Sequence, residues 1–244
     1  MGQYYRPTVV DQHNNILFTA YSHEFDSGLK LLEHSWIGND FVQAFETLLV
    51  ADGPVRVVWA GDYADPETDA EGNPLKVTGT DGNEYDANLY TLAALAEDKH
   101  YRPDVPAWNR RSVYNWTYAN GRRREKPKIT YAPYDEDLKP NAFPEVLPTM
   151  TSHPYLLNHD KGLAVDKRRV PKDANGWRIH PLPLLAVEGN GRGGGDFHVD
   201  PDYFRTGGNR GNFDLIGSWS RDRISLSKTL PKGFERTDFD LVEG

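Results

Sequence analysis

The chain has 244 residues, 38% hydrophobic and 26% charged, a globular composition with ample material for a core. It contains no cysteine, which excludes disulfides, thiolate catalysis and cysteine-ligated zinc. A formal charge of −8 disfavours non-specific binding to DNA or to an anionic membrane. No apolar run approaches a membrane span and residues 1–30 lack the order of a signal peptide, so the expectation is a soluble, cytoplasmic protein with no membrane partner.

The chain opens on a hairpin pattern. Tyr4 to Val10 and Ile16 to Tyr21 are rich in β-branched and aromatic residues, with turn chemistry at Gln12-His13-Asn14-Asn15. Phe41, Val42, Phe45, Leu48 and Leu49 then form one apolar stripe at the helical period, predicting a helix over Phe41 to Val50. Asp40 followed by Gln43 matches a capping box. Val55 to Ala60 reads as a buried strand, and the helix is expected to pack on the sheet containing it. Gly61 to Asn83 is acidic and rich in turn formers, predicting a surface loop. Asp86 to Ala96 is predicted helical, with Leu89, Leu92, Ala93 and Ala96 on one face.

Residues 100–150 hold seven prolines and little periodicity. Between residues 99 and 128 nine basic residues face two acids, a local charge of +7 that leaves −15 on the rest. Trp108, Tyr114, Trp116 and Tyr118 lie among these arginines, a mixture able to stack on and neutralise a nucleotide, or to remain a solvated loop. We read about 99–150 as an excursion or insertion in one domain. A second hairpin is predicted from Tyr155–Asn158 and Leu163–Asp166, and a late strand from Ile216 to Ser227 with Ile216, Trp219 and Ile224 as core anchors. Strands outnumber helices and turns are short. The expected fold class is α+β, an antiparallel β-rich sheet with a few packed helices.

The most unusual segment follows the apolar stretch Leu182 to Val187. Gly189-Asn190-Gly191-Arg192-Gly193-Gly194-Gly195-Asp196-Phe197-His198 places five glycines in seven residues around one arginine. Such a cluster costs backbone entropy unless the chain needs positive φ or close approach to a ligand. It matches neither the Walker nor the Rossmann spacing, so no cofactor is called for. A nest of backbone N–H groups at Gly191, Gly193, Gly194 and Gly195, with Arg192, could hold an anion, or the run could be a flexible surface loop linking two strands. Gly207-Gly208-Asn209-Arg210-Gly211 repeats the chemistry, and Arg192 with Arg210 would clamp a phosphate-bearing ligand. Trp36 or Trp219 could stack on its base.

Asp196, His198, Asp200 and Asp202 alternate and would share one face of an extended chain, the first three as candidate catalytic groups or all four as a solvated polar edge. One short segment rarely converges three ligands on an ion, so no metal site is expected there. Asp62, His34 (with Asp40) and His180 are the remaining single candidates, although isolated histidines are more often structural.

Several stretches taken together resemble a family of uncharacterised bacterial and bacteriophage proteins. These are Met1-Gly2-Gln3-Tyr4-Tyr5, His34-Ser35-Trp36-Ile37-Gly38-Asn39-Asp40-Phe41, Ile179-His180-Pro181-Leu182-Pro183-Leu184-Leu185, Gly189 to Phe197, and Ile216-Gly217-Ser218-Trp219. The resemblance implies a phage or bacterial cytoplasmic setting and carries no activity. The expected function is binding of a phosphate-bearing small molecule, a nucleotide foremost, with sequestration of a host nucleotide signal as the phage version. The alternatives are a nucleotide hydrolase or phosphodiesterase, and a protein-binding inhibitor of a host defence enzyme.

Overall fold

The computed structural model describes residues 3–25, 27–79, 81–97, 148–189 and 211–243, with four two-residue strands between 111 and 131. The predicted opening hairpin is present as β1 (Tyr5–Val10) and β2 (Ile16–Thr19). Their register passes from Val9↔Phe18 to Val10↔Ile16, leaving Leu17 as a bulge. That extra residue turns Ile16 and Phe18 to opposite faces of the sheet, and each joins a different core cluster.

A short helix, α1 (Leu31–His34), precedes the predicted long one, α2 (Asp40–Asp52). The cap of α2 lies one residue earlier than the sequence suggests. Asn39 Oδ1 accepts from the backbone N–H of Phe41 at 2.9 Å and of Val42 at 3.3 Å. Asp40 becomes the first helical residue, where a carboxylate meets the positive end of the helix dipole. After α2 the chain enters β3 (Val55–Gly61), the predicted buried strand.

The expected surface loop carries a small hairpin, β4 (Lys76–Thr78) with β5 (Glu84–Asp86), which claims Asp86 from the predicted helix. That helix, α3, begins at Leu89 and runs to Glu97. Within the proline-rich excursion, β6 (Arg111–Ser112) pairs with β9 (Thr130–Tyr131), and β7 (Tyr118–Ala119) with β8 (Arg122–Arg123). The two pairings are nested, and Asn120-Gly121 separates the inner strands in sequence, a pair that favours tight hairpin turns.

The second hairpin has the predicted bounds, β10 (Tyr155–Asn158) and β11 (Leu163–Asp166). Next come α4 (Pro181–Leu185), β12 (Val187–Glu188), β13 (Arg223–Ser227) and β14 (Glu235–Thr237). The predicted strand from Ile216 is shortened to β13. Gly217 at φ 71° and Arg221 at φ 62° break extended geometry, and turns occupy most of residues 216–222. Trp219 and Ile224 are core residues as expected, whereas Ile216 is only partly buried.

The main sheet has the order β14-β11-β10-β13-β3-β1-β2, mostly antiparallel, and strands from both ends of the chain share it. This is the expected α+β class. Two pairs are parallel, β11 with β14 and β12 with β3. Alternation along β3 divides the core: Val57 and Trp59 face the cluster that includes α2, while Val58 and Ala60 face Leu89 and Ala93 of α3. The excursion therefore leaves from α3 on one face and returns at Pro148 on the other, where its carbonyl accepts from Gln43 Nε2 of α2 at 3.0 Å.

Phe45 is 1% exposed and meets the Trp59 ring edge-to-face at 5.3 Å. Phe45→Ala should lower unfolding free energy by about 3–5 kcal/mol in urea titrations, the cost of an uncollapsed core cavity. A loss below 1 kcal/mol would contradict this packing.

Candidate functional site

One edge of β3 is shared by two strands. Near its start it pairs antiparallel with β13 (Ile224↔Val55, Arg223↔Arg56), and near its end it pairs parallel with β12 (Val187↔Trp59, Glu188↔Ala60). The carboxyl ends of β3 and β12 consequently emerge side by side. Asp62 follows one and Gly189, the first residue of the glycine run, follows the other. In open α/β sheets the crevice beyond the carboxyl ends of the strands is where ligands gather, and this two-residue parallel pair reproduces that geometry locally within a mostly antiparallel sheet.

The groups around that edge are strongly polar. Arg221 holds Glu188 in a two-point fork, Nε to Oε1 at 2.7 Å and Nη2 to Oε2 at 2.8 Å. The same guanidinium binds Glu67, with Nη1 to Oε2 at 3.1 Å and a second bond through Nη2. Ser220 Oγ donates to Glu188 Oε1 at 2.6 Å. Burial alone would raise the Glu188 carboxyl, but the Arg221 hydrogen bonds and charge outweigh it and hold the group below its ordinary range. Arg221 keeps its left-handed φ of 62°, a strained choice for a side chain with a Cβ, while its backbone N–H donates to Val57 O at 2.9 Å.

Across the sheet, Arg6 of β1 is in register with Ala60, as Glu188 is on the other side. Paired residues project to one face, so a cation and an anion flank the small Ala60. The Arg6 guanidinium lies over Tyr21 at 4.7 Å and Tyr90 at 5.4 Å from the ring centroids. Asp62, at the end of β3, accepts from the Tyr4 backbone N–H at 3.0 Å, and partial burial shifts its carboxyl upward.

Gly191, Arg192, Gly193, Gly194, Gly195, Asp196, His198, Asp200 and Arg210 lie outside the described residues. Both flanks of that run are seated. Glu188 is clamped by Arg221, and Gly211, at φ 121°, sits so close to Asp240 that a Cβ would come within 2.5 Å of its carbonyl oxygen. The Asn212 N–H donates to Asp240 Oδ1 at 2.8 Å.

The other named residues are spread through the molecule. Trp219 is 2% exposed and its ring is enclosed in the core, so its faces are not presented to solvent. Trp36 is partly buried and meets the 58%-exposed Trp177 edge-to-face at 5.7 Å. His34 is wholly buried. Its Nδ1–H donates to Gly28 O at 2.9 Å and its Nε2 accepts from the Trp59 indole at 2.9 Å. Both nitrogens are consumed, and His34 works as a structural bridge. His180 caps α4, its Nδ1 accepting from Leu182 N at 3.1 Å, which leaves the ring hydrogen on Nε2 to donate to Glu46 Oε1 at 2.8 Å. Glu46 also pairs with the ammonium of Lys167, and all three groups are buried. Among the described residues, no cluster of three or more histidines or carboxylates is placed to hold a metal ion.

Nothing in the sequence pointed to Glu67, Glu188, Arg221 or Arg6, because each acquires its partner from a distant segment. Comparisons of the chain with protein-family models, with curated proteins and with solved structures find no match. Among the described residues no helix is long and apolar enough to cross a membrane.

Two outcomes test this arrangement. Arg221→Gln would leave Glu67 and Glu188 facing one another without their shared cation, and should cost roughly 1–3 kcal/mol in urea unfolding. The second concerns acid. Burial depresses His34 from 6.5 to about 4. Its unfolded form therefore binds a proton first, so its contribution is complete above pH 6.5 and is lost as pH falls toward 4, amounting to about 3 kcal/mol. His34→Gln, which retains an acceptor for Trp59, should flatten unfolding free energy against pH across that window. An unchanged slope would mean that His34 is not the titrating group.

Proposed function

We propose that the protein binds a phosphate-bearing small molecule, a nucleotide foremost, at the carboxyl ends of β3 and β12. The observation carrying this reading is the parallel β3–β12 pair, whose open end leads directly into the glycine run. Glycine without Cβ lets a backbone close on an anion, and the seated flanks at Glu188 and Gly211 suit a loop held ready by a rigid scaffold.

The charges assign the roles further. Arg221 is already balanced by two carboxylates, so it contributes position more than positive charge. The cations for a phosphate are then Arg192 and Arg210, with the backbone N–H groups of Gly193 to Gly195. In the phage setting that the sequence resembles, retention of a nucleotide without turnover would blunt a host signal. One observation favours a second reading. Asp62, its carboxyl shifted upward by burial, lies at the same strand end and could serve a phosphodiesterase that also used Asp196, His198 and Asp200.

The test is to mix the purified protein with a panel of cyclic and linear nucleotides and to analyse the free and denaturation-released fractions by chromatography. Recovery of intact ligand is expected. Arg192→Ala combined with Arg210→Ala should weaken binding at least tenfold, while His198→Ala should leave it within about threefold, a double loss of charge-assisted bonds against none. A new product that disappears in His198→Ala or Asp62→Asn would establish the hydrolase instead. No depletion of any nucleotide would remove both readings and leave the protein-binding inhibitor.

A further inference from the structure

The opposite end of β3 carries a second arrangement that does not depend on the glycine run. Arg223 of β13, Arg56 of β3 and Val10 of β1 stand in one register row, so their side chains share a face. Two arginines directly opposite on antiparallel neighbours repel. Asp160, from the turn between β10 and β11, bridges them. Its Oδ2 accepts from Arg56 Nη1 at 3.0 Å and from the Arg223 backbone N–H at 2.8 Å, and its Oδ1 accepts from Arg223 Nε at 2.7 Å. Arg56 Nη1 also donates to Arg221 O at 2.8 Å. Among the described residues, Nε and Nη2 of Arg56 and both terminal nitrogens of Arg223 make no hydrogen bond to protein. One carboxylate thus fixes two guanidiniums and leaves their remaining donors available.

Both arginines line an open groove of about 320 Å³. Its apolar wall is made by Val10, Pro54, Val55 and Leu17, the bulge residue of β2. The far end carries Asp11 and Gln12. The Asp11 carboxylate is committed to its own turn, accepting from His13 N at 2.7 Å, Asn15 N at 2.9 Å and Asn15 Nδ2 at 2.9 Å. The groove thus combines two guanidiniums, an apolar wall and a carboxylate already committed to its own turn. Its volume lies at the low end of the range for small-molecule sites, about 300–1,000 Å³. That is room for one ring system and one oxyanion.

We propose that this groove is a binding site for a ring-bearing phosphate monoester, its oxyanion held by Arg56 and Arg223 and its ring laid on Leu17, Pro54 and Val55. Asp160 pre-pays the alignment of the two guanidiniums, so a ligand meets a formed fork. Along β3, Arg56 and Gly61 are five residues apart, about 16 Å, which separates this groove from the site at the other end.

Phenyl phosphate, adenosine 5′-monophosphate and inorganic phosphate are the probes, titrated by calorimetry and followed by chemical-shift changes at Leu17 and Val55. Saturable binding of phenyl phosphate or the mononucleotide is expected, at least tenfold tighter than inorganic phosphate, because only the former two use the apolar wall. Arg56→Gln and Arg223→Gln should each weaken it at least tenfold. Arg56→Lys preserves the charge and the Asp160 pair but loses the fork, and should weaken it several-fold even if the glutamine variants fold poorly. Combined replacement of Arg192 and Arg210 by alanine should leave groove binding unchanged, so the two sites stand or fall separately. Absence of binding by both ring-bearing probes, inorganic phosphate binding as tightly as phenyl phosphate, or indifference to all three arginine variants would each overturn the assignment.

Discussion

A single buried carboxylate organises this fold. Glu46 lies on α2, whose surface is covered nearly all round, and it is held by Lys167 just after β11 and by His180 at the start of α4. Burial would drive such a group neutral. The Lys167 ammonium and the His180 hydrogen bond outweigh burial and hold it well below the ordinary carboxylate range. An ionic cluster of this kind need add little net stability, yet it tolerates no vacancy, because removing one member strands a buried charge. Helix α2 is therefore tied to the stretch from β11 to α4, more than a hundred residues further along the chain.

The consequences reach the strand ends. His180 positions α4, α4 delivers Val187 and Glu188 to the edge of β3, and Trp59 N–H reaches Ala186 O at 2.7 Å to close that junction. His34 performs the matching task from the other side, binding the Trp59 indole while its remaining nitrogen is held by Gly28 O. The central strand is thus fixed by neutral histidines, each with its tautomer set by a backbone partner. Acid opposes this arrangement, since His34, His180 and Glu46 all titrate lower in the folded protein than in the unfolded chain.

The two ends of β3 differ in electrostatic character. At the carboxyl end one arginine is shared by two glutamates, and at the amino end one aspartate is shared by two arginines. The first arrangement leaves the Arg221 guanidinium outnumbered by the two carboxylates it holds, beside the root of the glycine run. The second leaves guanidinium donors unused at the wall of a groove. Both follow from the fork at β3, where β13 and β12 divide one edge and place Arg223 and Glu188 on the same strand's flank.

Local signals carried much of this architecture. The stripe from Phe41 to Leu49, the alternating opening hairpin and the hairpin around His159-Asp160-Lys161-Gly162 were legible because each depends on the periodicity of a few neighbouring residues. The late strand was misjudged for the converse reason. Ile216 and Trp219 look like strand anchors, but Gly217 and Arg221 adopt left-handed geometry because the chain must pass across the end of β12, and Arg221 is held there by Glu67 and Glu188 from elsewhere. Candidate residues show the same division. The sequence by itself established an α+β class and the helix on β3, and it singled out the glycine run by composition alone. Only the tertiary structure decided which partners hold His34 and His180 in the interior, and that Arg6, Arg56, Arg221 and Arg223 lie at the ends of β3. Burial and ion pairing depend on residues brought together from separate segments, 25 positions apart for His34 and Trp59 and 154 for Arg221 and Glu67, and no periodicity within one segment encodes that proximity.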